Sequence, residues 1–120
     1  MSKRHKNVKL FINDILEAIE KIEIYTQVMS YDQFIKDEKT KDAVIRNLEV
    51  IGEAAKNIPS TIKEKHPDIN WKAISGMRDK LIHEYFGVSF PIVWETIKSD
   101  LPFFKAGIKE VLKDLEKKLK

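Results

Sequence analysis

The sequence predicts an all-α fold, an up-and-down bundle of four to five main helices forming one domain over residues 1–120. Three observations lead there. Apolar residues recur at spacings of three and four along several long segments, the period of a helix with one buried face. Nowhere do strand-forming residues alternate with period two. Prolines, glycines and small polar residues punctuate the ends of these segments, so the connections are short, as in a bundle. A length of 120 residues, 42% of them hydrophobic, suits one modest core. No internal repeat, linker or low-complexity tract interrupts it.

From Asn7 to about Val28, the residues Val8, Phe11, Ile15, Ala18, Ile22 and Tyr25 form an inner stripe, widened by Ile12, Leu16 and Ile19. Ser30 with Gln33 has the spacing of a capping box and predicts a short helix over Tyr31 to Lys36. The second long helix is expected from Thr40 to Asn57, with Ala43, Val44, Leu48, Ile51 and Ala55 inside and Pro59 enforcing its end. Gly52, in its middle, implies close approach of another helix. Thr61 and Glu64 have capping-box spacing in a short piece from Ser60 to His66, before Pro67.

Asn70 is placed to cap the third main helix, Trp71 to Tyr85, which Gly76 divides and Gly87 closes. Ser89 is expected to cap the next helix, with Pro91 in its first turn and Ile92, Val93, Trp94 and Ile97 along it. Asp100 and Pro102 then start the last helix, striped by Leu101, Phe104, Ile108, Val111, Leu112 and Leu115. The basic tail 117–120 is expected to fray. Trp71 and Trp94 read as core or interface anchors rather than base-stacking platforms, and Glu53 as a solvated or interhelical pairing residue; open apolar positions that include Phe86, Phe90 and Trp94 suggest a self-association surface.

Lys and Arg number 22 against 19 Asp and Glu, a net charge of +3, and along the sequence the two signs look well mixed. That permits an anionic partner without the concentrated basic stripe of a dedicated duplex binder. With no cysteine, disulfides, thiolate zinc sites and cysteine nucleophiles are excluded. The basic start, Met1 to Lys6, leads into an amphipathic segment with acids rather than a signal-peptide core. No apolar run approaches the roughly 20 residues that span a bilayer, so no membrane partner and a cytoplasmic location are expected. His5 reads as part of a basic terminus, and His66 as a cation suited to a helix end. No two histidines fall at metal-ligand spacing, so neither metal nor other cofactor is expected.

The segment 77–86 is the exception to this helical scaffold, because arginine, histidine and tyrosine crowd together in it. Asp79 and His83 are one turn apart, so an aspartate there can hold the imidazole in one tautomer and raise its basicity. Arg78 lies roughly 140° and Tyr85 about 200° around an ideal helix from His83. Arg78 can reach round with its long side chain; Tyr85 joins only if the helix ends near Glu84. Arginine binds phosphate bidentately, and histidine moves protons near neutral pH. Together they suit cleavage of an RNA phosphodiester without metal, with the ribose 2′-hydroxyl as nucleophile. The bland alternative is a set of caps and salt bridges, Lys80 with Glu84 among them. Spacing alone leaves both open.

The run Arg78-Asp79-Lys80-Leu81-Ile82-His83-Glu84-Tyr85 resembles the Arg-X4-His-X-Tyr motif of HepT-like toxins in the HEPN superfamily. Residues 43–54, 71–77, 92–94 and 100–102 fit the same family in order, so the likeness spans nearly the whole chain. The resemblance implies an all-helical homodimer whose two motifs face each other across the interface in one composite cleft. It implies a toxin of a prokaryotic toxin–antitoxin pair that acts on RNA. Arg78 and His83 would then be the catalytic pair, and Asp79 a supporting polar group. Tyr85 would be the residue to which an MntA-like minimal nucleotidyltransferase antitoxin transfers AMP. An anion there would compete with RNA phosphate for Arg78. HEPN folds also serve as non-catalytic nucleotide- or partner-binding modules, the second reading of the same residues.

Overall fold

Four aliphatic residues at spacings of three, four and three (Ile12, Ile15, Ile19 and Ile22) have no exposed surface at all, and the bundle is built around them. The computed structural model describes residues 2–83 and 89–119, with side chains described for 7–77 and 89–117. The elements are α1 (Ser2–Thr26), α2 (Tyr31–Lys36), α3 (Glu38–Lys56), α4 (Ser60–Lys65), α5 (Trp71–His83), α6 (Phe90–Glu95), a π-helical turn (Thr96–Asp100) and α7 (Leu101–Leu119). Among the described residues there is no strand, as the all-α expectation required.

Helix α1 is the spine of the bundle. It packs on α3 along one side and on α7 along another, while α3 also takes α5. Its buried isoleucines meet Val44, Leu48 and Ile51 of α3 and Leu101, Ile108 and Val111 of α7 in one continuous core. Full burial of each such side chain is worth about 1.5–3 kcal/mol. The stripe differs from expectation at its end. Tyr25 is 40% exposed, and Thr26 takes the inward position instead. Its hydroxyl donates to the Ile22 carbonyl at 2.7 Å, which removes the cost of burying it.

Local signals hold at two of the four expected caps. Ser30 Oγ accepts from the Gln33 N–H at 3.2 Å, while Gln33 Oε1 accepts from the Ser30 N–H at 2.9 Å, a complete capping box. Asn70 Oδ1 accepts from the Ala73 N–H at 3.0 Å. The other two differ: α4 follows Pro59 and has no side-chain cap, so Thr61 and Glu64 share the spacing of a box without forming one, and Ser89 stands at the N-cap position of α6 with no side-chain cap bond. Gly52 is buried on α3, consistent with a crowded helix face.

Two further expectations are corrected. Gly76 does not divide α5, which runs unbroken from Trp71 to His83. Nor does Pro102 begin a separate helix. The chain stays helical from Phe90 to Leu119 because a π turn precedes the proline, with the Leu101 N–H donating to the Thr96 carbonyl five residues back. A proline cannot donate to the carbonyl four residues before it, and its ring presses on that carbonyl. The widened turn accommodates both. At the far end, α7 continues to Leu119 rather than fraying at Lys117.

Candidate functional site

Three of the four expected site residues, Arg78, Asp79 and His83, lie on α5; Tyr85 lies outside the described residues. What positions them is the anchoring of the first half of that helix. Trp71 is only 8% exposed, and its ring meets Phe104 of α7 edge-on, with centroids 6.2 Å apart and planes at 85°. The indole N–H donates to the His66 carbonyl at 3.1 Å, and Lys63 Nζ stands 5.9 Å over the ring. Ile74 and Met77, spaced by three, pack against the core. Arg78 follows Met77 directly, about 100° further round the helix, and Asp79 and His83 are separated by one turn of continuous helix.

A groove of about 810 Å³ runs between α5 and α7 beside the motif, lined by Ile69, Ile74, Met77, Phe103 and Phe104. Among the described residues its charged liners are Asp68, Asp100 and Glu110, all acidic. Phe103, 83% exposed, is its outermost ring, a position that sequence reasoning missed. The adjacent Phe104 is buried, and nothing in a Phe-Phe pair says which one turns outward. A smaller groove of about 270 Å³ separates α1 from α3 and carries both signs: Asp14, Arg46, Glu49 and Glu53. Glu53 is exposed there, on α3. Among the described residues no group of three or more His, Asp or Glu is placed to hold a metal ion.

The aromatic residues expected to form an open self-association surface are engaged within the chain. Trp94 lies 5.0 Å from Phe34 and 6.1 Å from Tyr31, and Phe90 lies 6.2 Å from Phe34. Lys98 covers Trp94 at 4.6 Å and Lys41 covers Phe90 at 4.9 Å. Phe34 is wholly buried, so α2 acts as the wedge that seats α6, and both aromatics are half-covered. Phe86 lies outside the described residues. His66 does sit at the end of α4, and its Nε2 pairs with Asp114 Oδ2 at 3.0 Å, tying that end to α7.

Among the described residues the only resolved departure of an acidity from its usual value is at Asp37. Its carboxylate accepts from the Thr40 backbone N–H at 3.0 Å as the N-cap of α3, and that bond lowers its pKa.

Comparison with known proteins supplies the context for this geometry. Residues 15–111 match the family described as ribonuclease HepT-like. A Methanocaldococcus jannaschii protein, provisionally named an RNase, is 50% identical over 113 residues, which cover 94% of this chain and 97% of that one. A Thermococcus cleftensis protein, provisionally named ribonuclease HepT, is 47% identical over 113 residues, covering 94% of this chain and all of its own length. A third, from Caldanaerobacter subterraneus and also provisionally named an RNase, is 44% identical over 107 residues, 89% of this chain and 96% of that one. No solved structure gives a significant match. Among the described residues no helix is long and apolar enough to cross a membrane.

Proposed function

This chain belongs to the HepT-like ribonuclease family, and on that footing we propose that it cuts RNA without metal, through Arg78 and His83. The observation that carries this reading is the position of both residues on one continuous helix inside the matched span. The imidazole of His83 takes the proton of a ribose 2′-hydroxyl. The 2′-oxygen attacks phosphorus, the bond to the 5′-oxygen breaks, and an imidazolium returns a proton to that leaving oxygen. The products are a 2′,3′-cyclic phosphate and a 5′-hydroxyl. Arg78 holds the phosphoryl oxygens and stabilises the charge they gain, and Asp79, one turn from His83, fixes the tautomer.

A single helix offers one imidazole, whereas this reaction uses a base and an acid. A second copy of the chain supplies the other, in a composite cleft between two α5 helices. Tyr85 is then the off-switch: AMP transferred to it by an MntA-like nucleotidyltransferase fills the cleft and competes for Arg78, which makes the chain the toxin of a toxin–antitoxin pair. After co-expression with such a transferase, intact-mass analysis should show one or more AMP units that the Tyr85→Phe variant lacks. In the unmodified protein, cleavage in the presence of a chelator should leave cyclic-phosphate ends. Light scattering should find a dimer. A fully active monomer would exclude the composite cleft, and a dimer that binds RNA without cutting it would make the chain a binding module instead.

A further inference from the structure

The charges that look well mixed along the sequence are segregated in the fold. The first thirteen and last eight residues hold eight of the 22 Lys and Arg but only two of the 19 Asp and Glu. The 99 residues between them therefore carry 14 cations against 17 acids, a net charge of −3, and these two terminal stretches carry +6.

Antiparallel packing brings the two basic stretches together. Lys105 Nζ of α7 meets Glu23 Oε1 of α1 at 2.7 Å, and Lys98 Nζ meets the Thr26 carbonyl at 3.3 Å, so rising numbers on α7 face falling numbers on α1. At about 1.5 Å per residue, Lys117 lies about 18 Å beyond Lys105, and Lys9 about 21 Å back from Glu23, at nearly the same level. Val8 and Leu115, each 5% exposed, close the core there. Lys3, Arg4, Lys6 and Lys118 belong to the turns that continue past them. The first turn of α1 has no acid, so the positive end of its macrodipole lies among cations of the sequence, an arrangement that favours an anion there. Two acids of α7 near this end are already paired, Glu110 with Lys113 at 3.7 Å and Asp114 with His66 at 3.0 Å.

We infer that this basic end of the bundle binds the sugar–phosphate backbone of RNA at a distance from the cleft, so that it selects for long substrates. The inference rests on the reading of RNA as substrate. Met77 faces Thr96 and Asp100 across the α5–α7 groove, which sets Arg78 near the level of Lys98. Nineteen residues of helix separate that level from Lys117, roughly 30 Å, or about nine stacked nucleotides at ~3.4 Å each. A lipid surface fits less well. The apolar face of α1 is spent on the core, and among the described residues only Leu10 is an exposed large apolar side chain in its basic turns, whereas a helix lying in a membrane needs a broad apolar face.

The test uses 2′-O-methyl RNA strands, which 2′-hydroxyl attack cannot cut, so binding is read independently of cleavage. Fluorescence anisotropy over a range of salt compares the parent with K9E/K117E/K118E, with the glutamine version of the same triple, and with K21E/K109E as a mid-bundle control. For a strand of about 20 nucleotides, the glutamate triple should bind at least tenfold more weakly, with a salt slope shallower by about 0.7 per lost phosphate contact. The glutamine triple should fall between it and the parent. A strand of about five nucleotides and the control variant should show no change. Equal binding of the long strand by parent and triple would overturn the inference. So would an equal loss on both strand lengths, or lysine-dependent binding of phosphatidylserine vesicles with RNA affinity unchanged. Loss of long-strand affinity in the triple would support it even if no cleavage were found, so the two readings fail separately.

Discussion

Asp37 shows how much a single side chain can reveal before any packing is considered. As the N-cap of α3 it accepts from the Thr40 N–H, which stabilises its ionised form and holds its pKa below the usual carboxylate value. The stabilisation is therefore present above that usual value and is lost as pH falls through the lowered one. The Asp37→Asn variant should melt below the parent at neutral pH, and the gap should close under acid conditions, below about pH 4. Thermal melts across pH check this. Gly76 gives a second prediction. A Cβ built there meets nothing within 4 Å, and α5 is continuous through it. Gly76→Ala should raise stability by about 0.5–1 kcal/mol in urea titrations, since only the backbone entropy of the unfolded chain changes. Gly107 is the contrasting case. A Cβ there falls 2.7 Å from Ile69 Cγ1, so the glycine is what lets the loop before α5 lie against α7. Cap residues were legible in the sequence where the polar side chain had no competitor, as at Ser30 and Asn70. Thr61 was misread because spacing does not say where a helix begins, and Pro59 with Ser60 begins α4 earlier.

Among the elements, the smallest carries more than its length suggests. Helix α2 has six residues, yet its Phe34 is wholly buried between Phe90 and Trp94 and seats α6. Phe34→Ala should cost about 3–5 kcal/mol, read from the urea midpoint at an unchanged slope. The long helices α1, α3 and α7 were legible from their period, because each buries one face against two neighbours. The π turn was not. Asp100 and Pro102 look like a helix start, and only the packing of Ile97 and Leu101 into one core shows why the chain widens a turn rather than breaking. For the site, the sequence placed Arg78, Asp79 and His83 on one helix, as found. It also took Phe90 and Trp94 for open surface, because periodicity does not reveal that α2 folds over them.

For the whole molecule, the main feature invisible in sequence was charge. Residues as far apart in sequence as Glu23 and Lys105 become neighbours once α1 and α7 run antiparallel, and a net +3 resolves into basic terminal stretches and an acidic remainder. The groove between α5 and α7, whose described charged liners are acidic, lies beside the motif, and the basic end lies farther along. The central claim nonetheless concerns chemistry at His83. The direct measurement is the rate at which the purified, unmodified protein cleaves single-stranded RNA in excess chelator, compared with the His83→Ala variant of equal melting temperature. Loss of at least about 100-fold is predicted, the usual contribution of a positioned general acid or base. Cleavage by the variant at the parent's rate, or parent activity that disappears with the chelator, would contradict it.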